Sequence, residues 1–74
     1  MNINGYAIIV EPLAAEEGGG FVATVPDLPG CMSDGQSPQE ALANVEDAIL
    51  AWIEAARDLG HDVPQPTRRF AMTA

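Results

Sequence analysis

Between residues 38 and 59 the sequence PQEALANVEDAILAWIEAARDL sets Leu42, Val45, Ile49, Trp52, Ile53, Ala56 and Leu59 at spacings of three and four, the period of a helix with one apolar face. Local signals bracket it. Ser37 is a helix-capping residue, Pro38 takes the first helical position, where its missing N–H costs nothing, and Glu40 completes a capping box. Gly60 supplies the C-terminal stop. A single long amphipathic helix in a chain of 74 residues has no second helix to pack against, so its stripe must be buried on a sheet.

Upstream residues supply the sheet. Residues 4–13, NGYAIIVEPL, are rich in β-branched and aromatic side chains and end at a proline, which predicts a strand. Tyr6, Ile8 and Val10 fall on one side of it; Ala7 and Ile9, on the other, are also apolar, so both sides are expected to be at least partly covered. AAEEGGG then reads as a hairpin loop, since three successive glycines tolerate any turn. In the second strand, GFVATVP, Phe21, Ala23 and Val25 share one face, Val22 and Thr24 the other, and Pro26 ends the pairing. Asp27-Leu28-Pro29-Gly30 has turn chemistry at each position, and residues 31–34 form a short third strand closed by Gly35. The predicted fold is α+β: an antiparallel three-stranded meander followed by one long helix packed on the sheet. Residues 1–66 make the domain, and 67–74 a tail with a possible short fourth strand near residues 68–72. No repeat or second domain is visible.

Charge narrows the function classes. Eleven carboxylates stand against three bases, for a net charge of −8, and Arg57 is the first basic residue in the chain. Nucleic-acid binding rests on cations that displace counterions from phosphate, so this chain is not expected to bind DNA or RNA directly. A basic protein is the natural complement, although solubility is the commoner meaning of such a balance. With 47% hydrophobic and 19% charged residues, the chain is too apolar to be disordered and too interrupted to span a membrane. The N-terminus lacks the basic segment of a secretion signal. Cys31, the only cysteine, has no internal disulfide partner. Both features predict a cytoplasmic protein.

Few residues invite chemistry. The glycine loop lacks the Lys-Ser/Thr pair of a phosphate loop and follows Glu16 and Glu17. His61, past the helix end and without a second histidine, reads as a surface residue, and Cys31, without a cation beside it, as a buried strand residue. Asp27 and Asp34, joined by Glu46, are the one set that could be imagined holding a divalent metal, yet turn chemistry explains both aspartates. Trp52 sits within the apolar stripe and reads as core or as an anchor of self-association. On the other side of the helix Glu40, Asp47, Glu54 and Asp58, with Asn44 and Ala51 between them, form an acidic stripe. It is either a solvated face or a docking stripe for a basic partner.

The string from Val25 to Ala41, PDLPG turn, short strand and then G-x-[ST]-x-x-EA opening a helix, together with the Tyr6 to Val10 strand, Trp52 and the exit through Gly60, Val63 and Pro64, resembles the HicB family of antitoxins. The likeness spans about residues 5–66. It implies a partial ribonuclease-H-like fold and a role in binding and covering HicA, a small, basic, double-stranded-RNA-binding-like toxin that cleaves messenger RNA. Family members that repress their own operon carry a DNA-binding module after the proline-rich exit, whereas this sequence ends at Ala74, which suits a short form. Ribonuclease H catalysis is not carried over, because Asp27 and Asp34 fall in the turn region. The resulting expectation is a non-enzymatic protein-binding module without cofactor or metal, contacting its toxin through Asp27, Leu28, Asp34, Glu40, Asp47, Glu54 and Asp58. The alternatives are an interaction module without a toxin partner and a small metal-dependent ribonuclease. Two sheet edges and a small core also predict a homodimer or larger assembly through a strand edge or the tail.

Overall fold

The computed structural model describes residues 2, 3 and 5–66, the first two by backbone alone. Its elements are β1 (Asn2–Ile3), β2 (Tyr6–Ala7), β3 (Ile9–Pro12), a single 3₁₀ turn (Ala15–Glu17), β4 (Phe21–Thr24), β5 (Met32–Gly35) and α1 (Pro38–Asp58). Strands β3, β4 and β5 form the antiparallel meander expected from the sequence, in the order β3-β4-β5, and α1 packs on one face of it. The fourth strand considered near residues 68–72 lies outside the described residues.

The first strand differs from the expectation. Instead of one run over residues 4–13, β1 and β2 form a separate hairpin with Ile3 opposite Tyr6, and the main sheet begins only at Ile9. Gly5, just before Tyr6, has φ +86°, a conformation that favours glycine in a tight hairpin turn. Ile8, between the two sheets, is buried with Tyr6, so the break keeps both side chains in the core.

Within the main sheet, Val10 stands opposite Ala23 and Ala23 opposite Ser33, while Ile9 stands opposite Thr24 and Thr24 opposite Met32. Side chains alternate across a strand, so the first set faces α1 and the second faces away. The Phe21-Ala23-Val25 face predicted from the sequence is indeed the inner one: Ala23 and Val25 are buried and Phe21 packs against them. From the helix come Ala41, Val45, Ile49 and Ala56 as buried residues, with Leu42, Ala48, Trp52 and Ile53 partly buried. Leu59, expected in that stripe, is 70% exposed, because α1 ends at Asp58 and Leu59 is its cap. Full burial of Leu28, Ile49, Val25 and Val45 contributes about 1.5–3 kcal/mol apiece.

Helix α1 lies chiefly over β5 and β4, with less contact to β3. Gly35 is the reason. A Cβ on Gly35 would stand 2.5 Å from the Ala41 amide nitrogen and 2.8 Å from the Glu40 carbonyl carbon, so only glycine lets the first turn of α1 rest on the end of β5. The helix start follows its signals with one change. Ser37 Oγ accepts from Glu40 N–H at 3.1 Å, but the Glu40 carboxylate accepts from the Gln36 amide rather than from that of Ser37. At the other end Gly60, at φ +74°, carries the chain out of the helix, and its N–H donates to the Arg57 carbonyl.

Three side chains fasten the parts together. Trp52 Nε1–H donates to the Pro29 carbonyl at 2.9 Å, Asn44 Nδ2–H donates to the Asp34 carbonyl at 2.7 Å, and Tyr6 O–H donates to the Pro64 carbonyl. Trp52 therefore ties α1 to the turn before β5, and Tyr6 holds the exit segment against the N-terminal hairpin.

Candidate partner-binding surface

The turn between β4 and β5 is built around Leu28. Val25 N–H donates to Cys31 C=O, Leu28 N–H to Val25 C=O and Cys31 N–H to Leu28 C=O, closing a compact loop in which Leu28 folds underneath and is 0% exposed. Leu28 is therefore corrected from contact residue to core residue: an apolar side chain between Asp27 and Pro29 gains more from burial under the sheet end than it would from solvent. Asp27, beside it, is half-buried, and Asp34, on β5, is exposed.

Glu40, Asp47, Glu54 and Asp58 are all exposed along the side of α1 turned from the sheet. From Glu40 to Asp58 the stripe runs about 27 Å at 1.5 Å per residue. It stays open to solvent from end to end. Asn44, in the same line, instead turns its amide to the β5 edge. Asp27 lies in the turn before β5 and Asp34 opposite Val22 on β5 itself, so the seven expected contact residues divide into a helix stripe, one turn residue, one residue of the open sheet face and one core residue. Arg57 is the single Lys or Arg among the described residues, against all eleven carboxylates of the chain.

The face of the sheet away from α1 is a second surface, which charge counting did not single out. Ile9 is 47% and Met32 55% exposed there, and Leu13, Val22, Met32, Ser33 and Asp34 line a shallow groove. Its sequence signal was the apolar residue on the outer side of each strand, Ile9 in β3 and Val22 in β4. The strand edges beside it are only partly open. Counting by twos from the bonds Val25 N–H to Cys31 and Leu13 N–H to Gly20, Met32 and Asp34 aim their backbone groups at the free edge of β5, and Val10 and Pro12 at that of β3. Asn44 occupies the Asp34 carbonyl, and Pro12 has no N–H to offer.

No cluster of three or more His, Cys, Asp or Glu able to hold a metal occurs among the described residues, so Asp27, Asp34 and Glu46 are not brought together. His61 is exposed. Cys31 is buried, and burial pushes its thiol pKa up, the opposite of what a nucleophile needs. No helix among the described residues is long and apolar enough to cross a membrane.

The described residues thus make a cation-poor α+β domain with a long acidic helix face and an open sheet face. The chain belongs to the HicB-like antitoxins of bacterial toxin–antitoxin systems, whose family model matches residues 6–73. Among similar proteins, a "UPF0150 protein" of Thermoplasma acidophilum is 37% identical over 60 residues, covering 81% of this chain and 83% of the relative. A second "UPF0150 protein", from Synechocystis, is 34% identical over 59 residues, covering 80% and 77%. An "uncharacterized 14.9 kDa protein in rep-hol intergenic region" of Haemophilus phage HP1 is 39% identical over 46 residues, 62% of this chain and 35% of the phage protein. No solved structure matches.

Proposed function

We propose that this protein neutralises a small basic HicA-like messenger-RNA-cleaving toxin by binding and covering it, and that it catalyses nothing itself. The observation that carries the reading is the charge of a family member's surface: eleven carboxylates, and one guanidinium among the described residues. Glu40, Asp47, Glu54 and Asp58 on α1, with Asp27 in the turn before β5 and Asp34 on β5, give a field that attracts a cationic protein and repels RNA, the substrate with which it competes. Toxin and messenger RNA meet in the cytoplasm, and the protein works there. Self-association belongs to the same reading, because the β3 edge keeps the Val10 backbone groups for pairing with another copy.

The test is co-purification of tagged protein with a purified basic HicA-like toxin, at low and at high salt. Retention at low salt, release as salt rises and loss of messenger-RNA cleavage on mixing are the expected results, since charge steering is screened within about 10 Å at 0.1 M salt. A toxin that stays fully active in a mixture with excess protein overturns the reading.

A further inference from the structure

The acidic stripe on α1 explains attraction but not grip. Exposed charges raise the association rate, whereas residence in a complex comes from an apolar centre that excludes water. Among the described residues, the sheet face away from α1 has such a centre: Ile9 and Met32, standing opposite Thr24 from its two sides, are both about half exposed, with Val22 and Leu13 beside them. Its charged neighbours among the described residues are all of one sign. Glu11 and Asp34 flank Val22 on the next row of the same face, and the loop from β3 to β4 carries Glu16 and Glu17.

Resting on the toxin-binding reading, we infer that the open sheet face, centred on Ile9, Val22 and Met32, is where the basic partner docks, through an apolar patch rimmed by Lys or Arg. Charge decides against a second copy of this chain. Two such faces stacked on each other would bring Glu11 and Asp34 of both copies to one interface with no cation among the described residues of the face to balance them, and like charges brought together across an interface are strongly disfavoured. A partner with a cationic rim instead pairs with Glu11 and Asp34 while its apolar patch covers Ile9 and Met32. The helix stripe, on the opposite side of the molecule, then steers the encounter without lying in the contact.

The experiment titrates a purified basic HicA-like toxin against wild-type protein and two double variants, with circular dichroism and light scattering on each. Ile9→Glu with Met32→Glu is expected to weaken binding at least 30-fold, chiefly through faster dissociation, with unchanged helix content and mass. Asp47→Lys with Glu54→Lys is expected to slow association several-fold and leave dissociation within 2-fold. Binding that survives the sheet-face variant and is lost with the helix variant overturns the inference while the toxin-binding reading stands. A drop in mass caused by the sheet-face variant shows that another copy covers the face, and likewise overturns it. Failure of wild-type protein to bind removes the toxin-binding reading and the inference together. As a folding control, Met32→Gln alone should also weaken binding, by at least 5-fold, and undiminished affinity in that variant counts against the inference.

Discussion

Substituting Gly35→Ala tests how α1 is seated. The new Cβ would lie 2.5 Å from the Ala41 nitrogen and 2.8 Å from both the Glu40 carbonyl carbon and the Glu40 Cβ. Two of these three are backbone atoms of the first helical turn, so no rotamer change relieves the contact. An ordinary carbon contact needs about 3.5 Å, and the helix start must therefore retreat from β5 by about 1 Å. That retreat loosens Ala41, which is fully buried, and strains the bond from Asn44 to Asp34, now 2.7 Å. Overpacking of this kind costs about 1–3 kcal/mol, and the strained hydrogen bond adds about 1 kcal/mol. For a domain of 60–100 residues each kcal/mol lowers Tm by about 4–8 °C, so a fall of about 8–32 °C is expected. Thermal unfolding followed by circular dichroism measures it. Gly18→Ala serves as comparator: its φ is +100° but nothing lies within 4 Å of the added Cβ, leaving only backbone strain of about 1 kcal/mol. If Gly35→Ala melts within 3 °C of wild type, or above Gly18→Ala, the account of the helix seat is wrong.

Ser37→Ala removes the acceptor of the Glu40 N–H and should lower stability by about 1 kcal/mol in a urea titration. Ser37→Asp should retain most of it. Trp52→Phe leaves the Pro29 carbonyl without its donor and should cost about 1 kcal/mol beyond any packing loss, with faster amide exchange in the loop before β5 as its mark. Burial raises the Cys31 thiol pKa, so the folded chain keeps that proton to higher pH than the unfolded chain does. The associated stability is complete below the unfolded thiol's pKa of about 8.5 and is lost as pH rises from there through the folded value. Urea midpoints at pH 7 and pH 10 should therefore differ more for wild type than for Cys31→Ala, and equal differences would contradict the burial argument.

The helix and the meander were legible because their signals are local. Ser37-Pro38, the three-four spacing through Ile49 and Ala56, and the glycine at 60 each specify backbone within a turn or two. The inner face of β4 was equally plain from alternation. What escaped depends on contacts between segments. Ile8 and Ile9 look alike in a run of apolar residues, yet one is buried between two sheets and the other stands on the open face. Leu28 sits in a sequence with every mark of an exposed turn, and only the closure of Val25 on Cys31 puts its side chain underneath. The division of the expected contact residues between two sides of the molecule had no sequence signal, because the carboxylates are everywhere and the position of the helix over the sheet decides which of them share a surface.

The bond from Tyr6 to the Pro64 carbonyl joins residues 58 apart in sequence, and Pro66 stands against Gly5, where an added Cβ would come within 3.2 Å of its ring. Among the described residues, the chain thus returns at Pro64 and Pro66 to the start of β2. A domain whose two ends meet can be spliced into a surface loop of another protein without pulling the host apart, and a permutant with residues 5 and 66 bridged by a few glycines, opened instead in the 18–20 loop, should give up β1 but keep the β3-β4-β5 sheet and α1. For evolution this makes the fold a portable part, one that can hang from a larger chain by a pair of adjacent strings.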